Sequence, residues 1–411
     1  MVRGFIYGQG VWCGADDDRL SAVWTMSKQQ PERANVVIIG GGIMGVSAAY
    51  HLAAAGVSDV VVLERHSLGS GSTSKAAGGV RTQFSDRANI ELGARSMETF
   101  TTFEERFGQA IDLRQHGYLF LLDDPADVAA FEANVALQNS LGVASRMIDV
   151  AEAQNLSPYI DTEGLLAAAY GPDDGHCTPE SVLLGFAQAA RRLGVVIRTG
   201  CEVVGIDLAD DGQITAVRTA HGPIRTDTVI CAAGAWSAEV GRWVGVDLPV
   251  TPLRRQILVT EPIDDLPDDL AFTIDFSTSF YFHPESRGLL MGMSDPDETP
   301  GFKLTRSDAW LPRLSEVIAR RAPRLAEVGI ASGWAGLYED TPDHNALIGE
   351  APRVGRFLYA TGFSGHGFLQ GPAVGEVLRD LYLHQPTFTN IGGFDARRFE
   401  SDSLQPEKNI V

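Results

Sequence analysis

The chain has 411 residues, among them 44 glycines, and its 33 Lys and Arg against 53 Asp and Glu give a formal net charge of −20. Such a negative field repels phosphate backbones and anionic lipid headgroups, which argues against nucleic-acid binding or polybasic attachment to a membrane. Hydrophobic residues make up 44% and charged residues 21% of the chain. This is a globular mixture, and the length suggests two or three lobes.

The first 33 residues are a polar, glycine-containing tail without hydrophobic periodicity. Asp16, Asp17 and Asp18 interrupt any apolar run, so this segment does not resemble a signal peptide. Met26 stands shortly before the first predicted strand. We therefore hypothesise that translation naturally begins at Met26 and that the preceding residues are dispensable.

A strand–turn–helix–strand pattern follows, with strands at residues 36–39 and 60–63 and a helix at 44–55. This is the βαβ unit of a parallel sheet. Further helices are predicted at 88–107, 125–141 and 179–193. Short strands are predicted at 195–198, 203–208, 214–219 and 228–232, with a hairpin turn at Asp211-Gly212.

Residues 254–293 have a different pattern, because β-rich runs at 256–260, 279–283 and 289–293 alternate with turns and no long helix. That arrangement is typical of an antiparallel sheet. A helix is then predicted at 313–319, a strand at 357–360 and a helix at 371–383, before an irregular end.

The predicted fold class is α/β, or α+β in two lobes, with a Rossmann-like nucleotide-binding domain and an inserted antiparallel-sheet substrate domain. The nucleotide-binding domain is assigned to residues 34–105, 172–240 and 330–385. The substrate-binding domain is assigned to 106–171 and 241–329, and 386–411 form a C-terminal tail.

The four cysteines show no metal-ligand spacing, and no apolar run approaches the roughly 20 residues of a membrane helix. We expect reduced thiols in a soluble, cytoplasmic protein with neither a membrane nor a nucleic-acid partner. The cysteines are Cys13, Cys177, Cys201 and Cys231.

The segment from Gly40 to Gly45 matches GxGxxG between the first strand and the first helix. Glycines in this turn let a pyrophosphate approach the backbone, and the helix N-terminus faces it with free N–H groups. Glu64 ends the next strand, 19 residues after Gly45, where a carboxylate accepts ribose hydroxyls. The pattern predicts dinucleotide binding.

Two further glycine sites bear on which dinucleotide binds. Residues 228–236 form a short apolar strand ending in Ala233, Gly234 and Trp236, where small residues let the backbone pass a cofactor closely. Residues 359–368 form a strand, a glycine loop and a helix start. Three spaced sites suit a long flavin dinucleotide better than NAD, although an NAD-dependent dehydrogenase is the alternative.

From about residue 36 to 383 the chain resembles the FAD-dependent amine and amino-acid oxidoreductases of the D-amino-acid oxidase and sarcosine oxidase type. The resemblance rests on the three glycine sites and on residues 334–343, WAGLYEDTPD. These stretches are most similar to the β subunits of heterotetrameric sarcosine oxidase and of dye-linked L-proline dehydrogenase. The resemblance implies a flavin ring between two lobes and oxidation of a C–N bond to an imine. A homo-oligomer or partner subunits are left open.

The resemblance also implies roles for four side chains. Arg81 matches an arginine that holds a substrate carboxylate, a role suited to its bidentate fork. Tyr281 and His283 share one face of a strand that floors the substrate site. His366 lies in the glycine loop beside the flavin ring.

Departures from the family pattern are equally informative. Lys75 and Gly336 stand where relatives carry the histidine or cysteine that attaches FAD covalently, so we predict non-covalent FAD. Leu290 and Leu369 stand where monomeric sarcosine oxidase has lysines for oxygen activation and carboxylate binding. Both favour a dehydrogenase, or an oxidase with a different oxygen site.

We therefore predict oxidation of a small secondary or N-methylated amino acid by hydride transfer to flavin N5. The alternatives are a D-amino-acid oxidase-type enzyme acting on a primary amine, and a flavin-bound assembly protein without turnover. The predicted cofactor-binding residues are Gly40, Gly42, Ile43, Met44, Gly45, Glu64, Arg65, Ser72, Thr73, Ser74, Lys75, Ala77, Gly78, Gly79, Val203, Ala233, Gly234, Trp236, Gly336, Gly362, Gly365, His366, Gly367, Phe368 and Leu369.

Overall fold

The computed structural model describes residues 31–400, 404 and 406–409. The hypothesis that translation begins at Met26 lies outside these residues. The helices are α1 (Ile43–Ala54), α2 (Arg87–Thr101), α3 (Phe103–Phe107), α4 (Pro125–Ser140), α5 (Val150–Leu156), α6 (Pro179–Arg192), α7 (Ser237–Trp243), α8 (Leu311–Arg321) and α9 (Gly367–Tyr382). Among residues 31–400 no helix has both the length and the apolar character needed to cross a bilayer.

The strands of the described part of the chain form four sheets. Those of the first half of the chain are β1 (Val36–Ile39), β2 (Val60–Leu63), β3 (Gly79–Val80), β4 (Tyr118–Leu122), β5 (Arg146–Ile148), β6 (Ala167–Gly171), β7 (Gly175–His176), β8 (Val196–Arg198) and β9 (Val203–Leu208). Those of the second half are β10 (Ile214–Thr219), β11 (Gly222–Arg225), β12 (Val229–Cys231), β13 (Thr251–Thr260), β14 (Phe272–Asp275), β15 (Phe280–Glu285), β16 (Gly288–Gly292), β17 (Ile330–Asp340), β18 (Leu347–Glu350) and β19 (Phe357–Thr361).

The first sheet has the order β18-β19-β12-β1-β2-β8 and is parallel except for the β18–β19 pair. Its central strands are apolar on both faces, as expected of a sheet covered on both sides. Val36 and Ile38 pack under helices α1, α2, α6 and α9. Val37 and Ile39 pack towards the three-stranded sheet β11-β10-β9.

The second large sheet has the order β17-β13-β16-β15-β14-β4-β6-β5. The sequence predicted an antiparallel sheet. The observed sheet is mixed, because β14 and β4 pair in parallel. One face packs on helix α8. The other face, near β14 and β15, turns towards the first sheet and carries aromatic side chains.

Several predicted bounds differ from the structure. Residues 330–340 were assigned to the nucleotide-binding domain, but β17 pairs along its length with β13 of the second sheet. The predicted helix at 88–107 divides into α2 and α3. The strands that were not predicted are β3, β4, β5, β6, β7, β11, β14, β17 and β18. Helix α9 begins at Gly367, one turn before the predicted start at residue 371. The mixed α/β fold itself is confirmed.

Candidate functional site

A deep groove of about 330 Å³ runs between the carboxyl ends of the first sheet and the aromatic face of the second. In doubly wound folds, ligands bind at this edge of the sheet. The groove brings together predicted residues from every part of the chain. Those that line it are Gly40, Gly42, Ile43, Met44, Glu64, Arg65, Ser72, Thr73, Lys75, Ala77, Gly78, Gly79, Arg81, Val203, Ala233, Gly234, Trp236, Tyr281, Gly336, Gly365, His366, Gly367, Phe368 and Leu369.

The turn between β1 and α1 is closely packed. Gly40 has φ +114°, and a Cβ atom on Gly45 would lie 2.0 Å from the carbonyl oxygen of Gly40. Gly45 therefore brings helix and strand together and does not itself line the groove. A Cβ atom on Gly42 would meet only the Thr73 hydroxyl oxygen, at 3.2 Å. The backbone at Gly42 is thus open to a ligand.

Glu64 is held at the end of β2 by two backbone N–H groups. One carboxylate oxygen accepts from Gly41 at 2.9 Å and the other from His66 at 2.8 Å. Each oxygen keeps a further lone pair for a hydroxyl donor. Arg65 lies beside it, with its guanidinium carbon 3.9 Å from the Trp236 ring centroid. This end of the groove suits an adenosine ribose.

The opposite end contains the glycine loop before α9. His366 immediately precedes this helix and is buried, and its Nε2 has no hydrogen-bond partner in the described part of the protein. Burial, with a contribution from the positive charge of Arg81, lowers the pKa of His366 to about 3. The ring is therefore neutral near pH 7. The helix N-terminus directs partial positive charge at this end of the groove.

Arg81 lies in the same end of the groove and is 4% exposed. Its guanidinium carbon lies 4.3 Å from the centroid of Phe84, and its two terminal nitrogens donate to the carbonyl oxygens of Gln83 and Asn409. Asp174 fixes the adjoining backbone by accepting from the Thr82 N–H at 2.9 Å. Arg81 is thus a buried cation on a closely held segment.

Aromatic side chains line the same groove as this cation. Tyr118, Phe272 and Tyr281 line the groove from the second sheet, and Tyr118 stacks on Phe272 at 4.1 Å. Burial raises the pKa of Tyr281 well above its ordinary value, so its hydroxyl stays protonated. A small ligand at this end would be enclosed by rings and shielded from water.

Arg255 was missed by the sequence reasoning. It lines the groove from β13, and its Nε is buried without a hydrogen-bond partner among the described residues. Its guanidinium carbon lies 4.9 Å from the ring of Tyr338. Arg255 also borders a second cavity of about 240 Å³. The sequence offered little signal for it, because Arg254 and Gln256 flank Arg255 in the same strand.

Glu339 was also missed. It lines the groove from β17, and one carboxylate oxygen accepts from the Thr361 hydroxyl at 3.0 Å. Burial raises the pKa of Glu339 to about 7. An acid that titrates near neutral pH therefore stands in the groove.

Besides Gly45, three predicted site residues do not line the groove: His283, Ser74 and Gly362. His283 does share a strand face with Tyr281, but its ring nitrogens lie 2.8 Å from the carbonyl oxygen of Pro284 and 3.0 Å from that of Ala77. His283 therefore supports the Ala77 backbone, which does line the groove, and has no ring nitrogen left for a substrate. Ser74 donates its backbone N–H to Gly69, and Gly362 packs near Thr341.

These features allow a test of whether the residues present fit a flavin dinucleotide. The glycine turn leaves room for a pyrophosphate, and Glu64 keeps acceptor capacity for a ribose. The unpartnered Nε2 of His366 and the uncapped start of α9 leave polar groups for a ring system at the other end. The described residues include no cluster of three or more His, Cys, Asp or Glu side chains suited to a metal ion. The groove fits FAD.

Comparison with known proteins agrees with this geometry. Dimethylglycine dehydrogenase, mitochondrial, from Mus musculus is 32% identical over 378 residues, which are 87% of this chain and 43% of that protein. Sarcosine dehydrogenase, mitochondrial, from Homo sapiens is 31% identical over 91% of this chain and 42% of that protein. The chain thus spans less than half the length of these relatives.

Solved structures extend the likeness to three dimensions. L-proline dehydrogenase from P. horikoshii is 34% identical with a TM-score of 0.86, covering 92% of this chain and 100% of that chain. Glycine oxidase from Geobacillus kaustophilus shares the fold with a TM-score of 0.80 at 24% identity, covering 91% of this chain and 100% of that chain. The family model named DAO, FAD dependent oxidoreductase, matches residues 35–381. This chain therefore belongs to the DAO family of FAD-dependent oxidoreductases.

Proposed function

We propose that this protein oxidises the C–N bond of a small secondary or N-methylated amino acid to an imine, with non-covalently bound FAD as the hydride acceptor. The observation that carries the proposal is the pair of cations, Arg81 and Arg255, at the aromatic end of a groove that fits a dinucleotide. In a chain of net charge −20, the buried Arg81 and the half-buried Arg255 at one end of a ligand groove suit a carboxylate.

The similar proteins support this substrate class. Their names specify dimethylglycine, sarcosine and L-proline as substrates. Each of these compounds is a small amino acid with a substituted nitrogen. An aromatic enclosure beside Arg81 suits such a molecule, because the rings accommodate the N-methyl or ring carbons while the guanidinium pairs with the carboxylate.

The proposed mechanism assigns positioning to the protein. Arg81 binds the carboxylate through its fork, and Tyr118, Phe272 and Tyr281 enclose the amine and exclude water. Desolvation favours the neutral amine. Its lone pair then forms the C=N bond as the α or N-methyl C–H bond breaks, and water later hydrolyses the imine.

FAD supplies the hydride-accepting ring when bound. The start of α9 at Gly367 offers partial positive charge that stabilises negative charge at this end of the groove. His366, kept neutral by its lowered pKa, adds a polar contact without a competing cation. Orientation of this kind supplies much of the rate in reactions between bound groups.

We further propose that the electron acceptor is not oxygen. Leu369 lines the groove and offers no positive charge there, and Leu290 is buried on the same sheet face as Tyr281. Neither position supplies the cation that would stabilise a superoxide-like charge. A cytoplasmic location and assembly into a homo-oligomer or with partner subunits are also proposals.

The test is an anaerobic reduction screen of the purified yellow holoprotein. The panel contains sarcosine, dimethylglycine, L- and D-proline, pipecolate and common D-amino acids. We expect N-substituted members to bleach the flavin, with reoxidation faster by an artificial dye than by air. Bleaching by primary D-amino acids alone would assign the alternative substrate class, and no bleaching with any member would favour a flavin-bound protein without turnover.

A further inference from the structure

Residues 406–409 contain no helix or strand, yet two of their side chains are buried. Glu407 and Asn409 are each only 1% exposed, although Lys408 between them is exposed. Alternating burial over so short a polar segment means that it is held by specific contacts. Those contacts converge on Arg81.

Asn409 contacts the guanidinium directly. Its backbone carbonyl oxygen accepts a hydrogen bond from Nη2 of Arg81, while Nη1 donates to the carbonyl oxygen of Gln83. Two of the five guanidinium N–H groups are thereby taken by backbone carbonyls, and three remain. With Phe84 against the guanidinium at 4.3 Å, the orientation of the fork is fixed from several sides.

Glu407 anchors this contact. One of its carboxylate oxygens accepts from the Ser85 N–H at 3.0 Å, from the Ser85 hydroxyl at 2.8 Å and from the Asn409 N–H at 2.8 Å. The other accepts from Nδ2 of Asn89 at 3.3 Å. Ser85 lies four residues after Arg81, so Glu407 ties the end of the chain to the arginine's own segment.

The segment is also tied to the rest of the molecule. The side-chain oxygen of Asn409 accepts from Nδ2 of Asn134 on α4 at 3.0 Å. The Glu407 N–H donates to the carbonyl oxygen of Asp343 at 3.1 Å, and the Asp343 carboxylate is held by Arg398 at 2.7 Å. Asp343 ends the stretch 334–343 on which the family resemblance partly rests, so that stretch is linked to the substrate end of the groove through this segment.

We propose that Glu407 and Asn409 form a C-terminal clamp that positions Arg81 for the substrate carboxylate. The inference rests on the proposed function, since it takes Arg81 as the carboxylate-binding group. A buried arginine has many rotamers, and a fork must be held in one of them to bind a carboxylate without further ordering cost. Glu407 and Asn409 are positioning residues and do not touch the groove themselves.

The test measures binding rather than turnover. The probe is tetrahydrofuran-2-carboxylate, which keeps the ring and carboxylate of proline but has no amine to oxidise, and tetrahydrofuran is the neutral control. Dissociation constants are read from the perturbed flavin spectrum of the holoprotein. The variants are Glu407→Ala, Glu407→Gln and a chain ending at Pro406, with Lys408→Ala as the matched control.

We expect Glu407→Ala and the shortened chain to bind the carboxylate probe about 10-fold more weakly, equivalent to about 1.4 kcal/mol. Their affinity for tetrahydrofuran and their FAD content should not change. Glu407→Gln should recover part of the loss, because one acceptor oxygen remains. Lys408→Ala should match the unaltered protein. If the shortened chain does not fold, the Glu407→Ala result decides.

Unchanged carboxylate binding in Glu407→Ala would overturn the proposal. Tighter binding would also overturn it, since the segment would then compete with the carboxylate. Equal weakening of both probes would overturn it too, because the loss would not depend on the carboxylate. Failure of the proposed function is separate, because it is seen as absent flavin reduction by every amino acid in the unaltered protein, whereas the probe titration needs no turnover.

Discussion

Gly336 of β17 lies directly against Lys75: a Cβ atom added to the glycine would be 2.6 Å from the Cβ of the lysine. The contact is secured by the Trp334 indole N–H, which donates to the Lys75 carbonyl oxygen at 3.1 Å. Both residues line the groove. The family resemblance matches these two positions to residues that attach FAD covalently, and neither Lys75 nor Gly336 provides a histidine or cysteine for such a link.

The first prediction is therefore that the flavin is released intact. Precipitation of the purified protein with acid should leave the yellow colour in the supernatant, because no bond to the flavin has to be cleaved. Flavin that remains with the pellet after washing would contradict this expectation.

The second prediction concerns the same contact. Gly336→Ala should destabilise the protein by about 1–3 kcal/mol, the usual cost of overpacking, and should lower its FAD content, because the strand must move off the Lys75 segment. Thermal unfolding and the flavin-to-protein ratio measure both effects. Gly393→Ala is the control, since a Cβ atom there meets nothing within 4 Å. Equal behaviour of the two variants would refute the prediction.

The third prediction concerns Glu64. Glu64→Ala should lose the acceptors for the Gly41 and His66 N–H groups, and losses of this kind cost about 1–3 kcal/mol. We expect the FAD affinity of Glu64→Ala to be about 10-fold lower or more. The affinity of Glu64→Gln should fall less, because one acceptor oxygen remains. Titration of the apoprotein with FAD gives the dissociation constants. The exposed Glu132→Ala is the control, and a Glu64→Ala affinity equal to that of the control would rule out this role.

The fourth prediction separates the two cations. Arg81→Ala should raise the Michaelis constant for a carboxylated amine far more than for a simple amine, because only the former needs the guanidinium. A charge-assisted hydrogen bond is worth about 1.5–3 kcal/mol, which corresponds to roughly a 10- to 100-fold change. Steady-state kinetics on L-proline and pyrrolidine measure the ratio, and Arg255→Ala tests whether the second cation shares the task. Equal effects of Arg81→Ala on both substrates would remove Arg81 from the carboxylate site.

The fifth prediction is a pH dependence of stability. Burial raises the pKa of Glu339 to about 7 from 4.5, so the folded state retains a proton that the unfolded state releases. The stability from this group is present below its unfolded pKa and is lost as the pH rises through its folded pKa. As the pH rises from about 5 to about 8, the free energy of unfolding of Glu339→Gln should therefore increase relative to that of the unaltered protein. Denaturant unfolding at both pH values checks this, and a constant difference would contradict it.

Much of the first sheet could be predicted because its signals are local. The glycine turn at 40–45, the flanking strands and Glu64 all lie within residues 36–64, and the structure places them together at one end of the groove. Residues 330–340 were assigned to the nucleotide-binding domain, whereas β17 pairs with β13, about 80 residues earlier, and nothing local to either strand specifies that pairing.

The substrate end depended more on tertiary contacts. The two-residue repeat of a strand predicted that Tyr281 and His283 share one face. The sequence did not predict that the His283 ring would contact the distant Ala77 carbonyl oxygen and so support the groove instead of lining it. Arg255 was missed for a similar reason, since its contact with Tyr338 joins two strands that are far apart in the sequence. The polar C-terminal segment has no periodicity, and its place beside Arg81 follows from individual hydrogen bonds alone.

The central claim is that the groove oxidises an amino acid held by its carboxylate. The most direct measurement is the rate constant of anaerobic flavin reduction by L-proline and by sarcosine, each compared at equal concentration with its decarboxylated analogue, pyrrolidine or dimethylamine. A bidentate charge-assisted pair predicts a preference of about 100-fold for the carboxylated member of the better pair. Equal rates within a pair, or no reduction by any of the four compounds while dithionite still bleaches the flavin, would contradict the account.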